Sequence, residues 1–164
     1  MRTPAFNFGG TNGLSINSAS LPAPWTLCFW AMGEANLNLP GPIQTVFSDT
    51  NSSLCLDADG NGDPGLRLSD GSVLLDQGFD LPTLYSPAHY TFVSDSTNLW
   101  LYVNGEQDPF FYPSGNFTLP LSVMGAGIDG VSNGLNQPLD EVMVFDRVLT
   151  PEEVYQVINA TRAP

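Results

Sequence analysis

Lysine is absent from this sequence, and four arginines stand against seventeen acidic residues, which gives a formal net charge of −13. Nucleic acids and anionic lipid surfaces are bound through lysine and arginine, because these side chains neutralise phosphates. The composition therefore excludes nucleic-acid binding. It favours a neutral or cation-rich partner, and calcium and sugars are the obvious candidates.

Long apolar runs are also missing, and cysteine and histidine are scarce. No stretch approaches the 18 consecutive apolar residues that cross a bilayer, and the start "MRTPAFNFGG" lacks the features of a signal peptide. We therefore expect no membrane insertion. Cys28 and Cys55 are the only cysteines, and they form either one disulfide or two buried thiols. The single histidine, His89, has no serine or cysteine motif around it, so we expect a strand residue near the core.

Short apolar or alternating runs recur every 8–12 residues or so, divided by clusters of glycine, proline, asparagine and aspartate. This spacing is typical of a β-sandwich or barrel, and the length predicts one domain, residues 1–164. Thr150, Pro151 and Glu153 form a capping box with proline at the first helical position, so one short C-terminal helix should follow. Asn104-Gly105 predicts a type I′ hairpin turn. The predicted strands are 5–8, 14–17, 25–32, 44–49, 53–57, 65–70, 72–77, 88–95, 99–105, 116–125 and 139–146.

Four segments in order carry a resemblance to a known family: "WTLCFWAM", "HYTFVSDSTNLWLYVNGE", "LSVMGAG" and "LDEVMVFDRVLTPEEV". Together they are similar to laminin-G-like domains of the concanavalin A-like lectin/glucanase superfamily, over roughly residues 5 to 158. The resemblance implies an all-β jelly-roll sandwich of two antiparallel sheets, with ligands bound on a concave face or at the loop rim. "PWTLCFW" also resembles the cysteine-bearing strand of pentraxins. Thr91 stands where their second cysteine would fall, so a pentraxin-type bridge is not expected.

Two places are candidate calcium sites. "DADGNGD" (57–63) follows the first half of a helix-loop-helix calcium loop, but position 12 is Leu68 and both flanks are strands, so a full site of that kind is rejected. Its alternate carboxylates either converge on one cation or form a solvated turn. The family resemblance implies a second site, where Asp140 and N-terminal backbone carbonyls hold calcium; the alternative is an aspartate that accepts backbone N–H bonds. The predicted metal ligands are Asp57, Asp59, Asn61, Asp63 and Asp140.

Aromatic residues form the candidate ligand-binding set. The run "LWLYV" (99–103) alternates, so its leucines and valine should face the core while its two aromatic side chains point out of the sheet. The loop "DPFFYPSG" (108–115) adds three more aromatic rings. Such rings stack on sugars and anchor protein interfaces, unless a neighbouring segment covers them. The predicted ligand-binding residues are Trp100, Tyr102, Phe110, Phe111 and Tyr112.

Hydrolysis of glycosides is not expected. A glycosidase needs two carboxylates across a cleft, and the glucanase pattern E-x-D-x-x-E does not occur. In "LDEVMVFD", strand alternation puts Asp140 on the face of Val142 and Glu141 on the face of Met143, so neither acid has a second acid beside it. We therefore expect a protein that is not an enzyme.

These observations predict a non-catalytic extracellular recognition module, placed at a cell or particle surface. It would bind a glycan or a cell-surface glycoprotein and would be stabilised by calcium. An alternative from another class is a structural or adhesive tip domain of a fibre or virion that self-associates into a homo-oligomer. A glycoside hydrolase is the third reading, and the acidic residues disfavour it.

Overall fold

The structure is a computed structural model, and it describes residues 6–10, 12–16, 18–32, 43–57, 65–68, 73–76, 87–109 and 114–161. Within these ranges the chain forms twelve strands and one helix. The elements are β1 Phe6–Asn7, β2 Leu14–Ser15, β3 Trp25–Met32, β4 Gln44–Ser48, β5 Ser52–Asp57, β6 Gly65–Leu68, β7 Val73–Asp76, β8 Pro87–Ser94, β9 Leu99–Val103, β10 Glu106–Gln107, β11 Val123–Met124, β12 Pro138–Phe145 and α1 Pro151–Thr161. No helix in the described ranges is long and apolar enough to cross a membrane.

The strands form two antiparallel sheets of six. The first, sheet A, has the order β1-β12-β3-β8-β9-β10, and the second, sheet B, has the order β2-β11-β4-β5-β6-β7. Sequence neighbours such as β8 and β9 pair through short turns, whereas β12 returns from the end of the chain to lie between β1 and β3. This arrangement confirms the predicted sandwich of two antiparallel sheets with one short C-terminal helix.

The main core lies between the two sheets and is built by strand alternation. Every second residue of the long strands of sheet A points inward, so that leucine and aromatic side chains from β3, β8 and β9 meet those of β4 and β5. Trp25 is fully buried there, and its indole Nε1–H donates to the Phe117 carbonyl at 2.8 Å. This bond satisfies the one polar group of a large apolar side chain.

A second apolar layer covers the outer face of sheet A. Helix α1 lies on this face, and the capping box is present: Glu153 N–H donates to Thr150 Oγ1 at 3.3 Å, while Thr150 N–H donates to Glu153 Oε2 at 2.9 Å. We call this layer the helix-covered cluster. Its buried members are Cys28, Val93, Tyr102, Leu149, Val154 and Ile158, and Trp30, Trp100, Met143, Phe145 and Val157 pack against them.

The predicted hairpin turn is confirmed. Asn104 and Gly105 have φ values of 53° and 88°, the positive pair that a type I′ turn requires, and they join β9 to β10. A Cβ on Gly105 would lie 3.0 Å from the Tyr155 ring and 3.1 Å from Ile158, so the turn also contacts α1 closely. Glycine is therefore required here for both backbone conformation and space.

The predicted alternation in the last strand is wrong at Asp140. Between Asp140, which pairs with Trp30, and Met143, which pairs with Cys28, β12 contains one more residue than β3. This is a β-bulge, and Glu141 adopts a φ of 50° within it. Asp140 therefore lies on the same face as Met143, not on the face of Val142, because the extra residue reverses the alternation.

Cys28 and Cys55 are buried thiols, not a disulfide. Cys28 belongs to the helix-covered cluster on the outer face of sheet A, while Cys55 lies in β5 of the opposite sheet. Thr91 pairs directly with Cys28, and its hydroxyl donates to the Cys28 Sγ at 3.6 Å. A hydrogen bond thus occupies the place where a pentraxin-type bridge would be.

Candidate ligand-binding surfaces

The two faces of β9 are as predicted. Leu99, Leu101 and Val103 belong to the core between the sheets, whereas Trp100 and Tyr102 point to the outer face of sheet A. The alternation of a regular strand fixes this division, because β9 pairs with β8 residue by residue without a bulge.

The expected exposure of these aromatic rings is wrong for Tyr102. Its side chain is only 8% exposed and is enclosed by the helix-covered cluster, which includes Val154 and Ile158 of α1. Trp100 is half-buried against the same cluster. Helix α1 covers this face, so a sugar ring has no access to the Tyr102 ring. The ligand-binding role of Trp100 stays a prediction. Phe110, Phe111 and Tyr112 lie outside the described residues.

A chain of polar groups lies beneath α1. The Thr91 hydroxyl donates to Cys28, so its oxygen accepts Nδ1–H of His89 across 3.2 Å, and Nε2 remains an acceptor with no hydrogen-bond partner. His89 is fully buried, with its ring edge-on to Trp30 at a centroid distance of 5.2 Å. Burial lowers the pKa of His89 to about 4 and raises that of the Cys28 thiol to about 11.

These pKa shifts decide what the polar chain can do. A cysteine nucleophile needs a thiolate, and a histidine base needs a pKa near the working pH and access to substrate. Cys28 remains a thiol, His89 remains neutral at pH 7, and both are shielded from solvent. The group is structural, which agrees with the prediction that His89 is a strand residue near the core.

Asp140 lies beside the N-terminal strand, as expected from the sequence. Phe6 pairs with Leu139, the residue before it, so backbone carbonyls of β1 are close. In the structure Asp140 Oδ1 accepts the backbone N–H of Glu141 at 2.9 Å, which is the alternative role expected for this aspartate. It supports the bulge at Glu141.

The other predicted metal ligands are placed only in part. Asp57 is the last residue of β5, while Asp59, Asn61 and Asp63 lie outside the described residues. Among the residues that the structure describes, no group of three or more histidine, cysteine, aspartate or glutamate side chains is arranged to hold a metal ion. Calcium binding at either place stays a prediction.

The sequence reasoning missed a cleft on one side of the sandwich. One side of the cleft is formed by β12 of sheet A, and the other side by β2 and β11 of sheet B. We call it the edge cleft. Its volume is about 550 Å³. Its lining residues are Ile16, Ser18, Ala19, Leu21, Phe47, Leu121, Met124, Val142, Val144 and Asp146.

The edge cleft continues into a second recess of about 520 Å³ that shares Ile16, Ser18 and Ala19 with it. There Ser15 and Ser122 add hydroxyl groups, and Ile128 adds an apolar side chain that is 47% exposed. A partial signal was present in "SINSAS" (15–20), where three serines stand close to Ile16 and Ala19. The walls thus combine aliphatic surface with hydroxyl groups that both donate and accept hydrogen bonds.

Among the described residues, strand β12 has no neighbouring strand along most of this cleft. In the described part of the chain, β1 pairs with only Pro138 and Leu139, so no strand lies beside β12 beyond Leu139 on that side. Val144 is 40% exposed at this edge. The edge cleft is therefore open to solvent and bordered by backbone as well as side chains.

The chain matches one known protein family. A laminin-G-type family model, described as the concanavalin A-like lectin/glucanases superfamily, matches residues 8–155. A search of curated proteins finds no match to the sequence.

Three solved structures illustrate the similarity. A carbohydrate-binding module (CBM40) of Ruminococcus gnavus IT-sialidase, bound to α2,3-sialyllactose, is 16% identical, with a TM-score of 0.62 and 94% of each chain covered. Domain 4 of the Geobacillus stearothermophilus arabinanase AbnA, in complex with arabinotriose, is 18% identical, with a TM-score of 0.57 and coverage of 84% of this chain and 67% of that one. The ligand-binding domain of botulinum neurotoxin serotype D, in complex with N-acetylneuraminic acid, is 16% identical, with a TM-score of 0.65. The match covers 93% of this chain but 41% of the neurotoxin domain. At these identities the likeness shows a shared fold.

Proposed function

Because the chain belongs to the laminin-G-like family of the concanavalin A-like lectin/glucanase superfamily, we propose that it is a non-catalytic module that binds carbohydrate in the edge cleft. The observation that carries this proposal is the composition of the cleft, whose walls present aliphatic side chains and serine hydroxyls together. The fold supports the proposal further, since the three similar structures described above hold arabinotriose, N-acetylneuraminic acid and sialyllactose.

The physical basis is the two-sided chemistry of a sugar ring. Its C–H faces lose water when they lie on apolar surface, and Ile16, Val144 and Met124 offer such surface. Its hydroxyl groups need partners that both donate and accept, which Ser18 in both recesses and Ser122 in the second recess supply. A ligand pocket of this kind fixes orientation with few polar groups among many apolar ones.

The absence of catalysis is part of the proposal. Hydrolysis of a glycosidic bond needs a general acid and a second carboxylate across the cleft. Asp146 is the one carboxylate among the described residues that line the two recesses. A single acid without a partner supports binding but not the inverting or the retaining mechanism.

The cellular setting is a further part of the proposal. We propose that the module acts outside the cell, or on a cell or particle surface, as part of a recognition protein whose partner is a glycan or glycoprotein. Calcium binding near Asp140 or within 57–63 belongs to the same proposal. A self-associating tip domain is the alternative, and the exposed apolar side chains Phe6 and Val131 favour it.

A glycan array followed by calorimetric titration of the best ligands tests the proposal, with and without calcium. Ser18→Trp should strongly weaken binding, because the exposed Ser18 lines both recesses and an indole would obstruct them. Ser96→Trp is the matched control, since Ser96 is also exposed and lies in the β8–β9 turn, away from the cleft lining. Unchanged binding by Ser18→Trp would place the site elsewhere. A stable oligomer that binds no glycan would favour the tip-domain alternative.

A further inference from the structure

The charges of the chain constrain which sugars the module can take. Glycans fall into uncharged ones and those that carry carboxylate or sulfate groups, and proteins bind such anions through arginine, lysine or positively charged helix ends. This chain has no lysine, four arginines and a net charge of −13. Few groups are therefore available to neutralise an anionic sugar.

Of the two arginines that the structure describes, the one beside the edge cleft is already engaged. Arg147 follows Asp146, which lines the cleft, but its guanidinium points to α1 and makes two hydrogen bonds to Glu153, at 2.8 and 3.0 Å. A third bond joins Nη1 to the Val148 carbonyl at 3.3 Å. This paired geometry matches a carboxylate fork, so a ligand carboxylate would have to compete with Glu153 for the same donors.

The other arginine that the structure describes lies away from the cleft. Arg67 lies in β6, three strands from β11 and four from β2, which places its backbone about 14 to 19 Å from the sheet edge where the cleft opens. Arg2 and Arg162 lie outside the described residues. Among the described residues, the charge that lines the cleft is the carboxylate of Asp146.

From this distribution we infer that the ligand of the edge cleft is an uncharged glycan, and that the module discriminates against sialylated, sulfated and uronate-containing glycans. The inference rests on the proposed carbohydrate-binding function and specifies its ligand class. It separates this chain from the two similar structures that hold sialic acid or a sialylated sugar, although the fold is shared.

The size of the discrimination follows from simple electrostatics. A sialic-acid carboxylate in the cleft is repelled by Asp146 and by the negative charge of the whole domain. Salt weakens this repulsion, because it shortens the Debye length from about 20–30 Å to about 4 Å. At about 20 mM salt we expect an uncharged glycan to bind at least about fivefold more tightly than its sialylated counterpart. At about 0.5 M salt the ratio should fall to about two.

The test uses matched glycan pairs that differ only in terminal sialic acid, titrated into the full chain at both salt concentrations. Asp146→Asn should reduce the ratio of the two dissociation constants at low salt by about twofold. Glu152→Gln is the matched control, because it removes one exposed acid at the start of α1, away from the cleft lining, and should change the ratio less.

The outcomes separate this inference from the function on which it rests. A sialylated glycan that binds as tightly as its uncharged partner at low salt, or a ratio that does not respond to salt, would overturn the inference and leave carbohydrate binding intact. Preferred binding of a cationic glucosamine polymer over its acetylated form would overturn the uncharged assignment too. If no glycan binds at all, the proposed function fails and the inference fails with it.

Discussion

Acidification should destabilise this domain through His89. In the native structure the ring is fully buried, and Nε2 has no partner that could accept a proton, so protonation would create an unpaired buried charge. Burial lowers the pKa of His89 to about 4 from its ordinary value of 6.5. Between these two pH values the unfolded chain carries a proton on this side chain and the native state does not. The free energy of unfolding therefore falls as the pH drops from about 6.5 to about 4, and His89 contributes no pH dependence above 6.5.

The magnitude comes directly from the shift. Each pH unit between the two pKa values changes the free energy of unfolding by about 1.4 kcal/mol, so the loss from this one residue is about 2 kcal/mol at pH 5. Urea denaturation at pH 7 and pH 5 measures it. The Cys28 thiol beside it does not titrate in this range, because burial raises its pKa to about 11.

A variant without a titrating side chain isolates the effect from the acidic residues. His89→Gln should be less stable than the natural chain at pH 7, because it loses the ring contact with Trp30. Its stability should nevertheless change less between pH 7 and pH 5, by about 2 kcal/mol relative to the natural chain. An identical pH dependence in both proteins would refute the reasoning and show that His89 is solvated or partnered in the native state.

Three further predictions concern other parts of the structure. Trp100→Ala should lower the free energy of unfolding by about 2 kcal/mol in urea, because the ring is half-buried under α1; lost glycan binding at unchanged stability would instead make it a ligand residue. Gly125→Ala should cost more than about 2 kcal/mol, since a Cβ there overlaps the Phe8 ring. Gly130 also has a positive φ but has open space around it, so Gly130→Ala should cost only about 1 kcal/mol. Equal losses of stability in the two variants would contradict this. Calcium at a hundredfold excess over its Kd should stabilise the natural chain by about 2.7 kcal/mol but not Asp140→Asn, and identical melting temperatures in chelator and calcium would exclude the site.

Local patterns predicted those parts of the fold that depend on neighbouring residues. The alternation of "LWLYV" placed Trp100 on the outer face of sheet A, and the capping box at Thr150 marked the start of α1. Neither pattern shows that the helix covers the tryptophan, because this contact joins residues about fifty positions apart. The expected exposure of Tyr102 is wrong for that reason.

The bulge at Glu141 and the edge cleft were beyond local reasoning for a similar cause. A non-glycine residue with positive φ has no strong sequence signal, and only the pairing of β12 with β3 reveals the extra residue. The edge cleft depends on where β1 and β2 end relative to β12, which is a matter of long-range register. Read along the chain, only the segment 15–20 gives a partial signal of the cleft.

The three tryptophans divide between the two apolar layers, and this gives the domain built-in optical probes. Trp25 lies between the sheets, whereas Trp30 and Trp100 lie under the helix, with Trp30 Nε1–H donating to Thr161 Oγ1 at 2.8 Å near the end of α1. Detachment of the helix from an otherwise folded sandwich would expose the indoles of Trp30 and Trp100 to water and leave that of Trp25 buried. The emission of Trp30 and Trp100 would then shift to longer wavelength at a lower denaturant concentration than that of Trp25, so one fluorescence titration distinguishes stepwise from concerted unfolding.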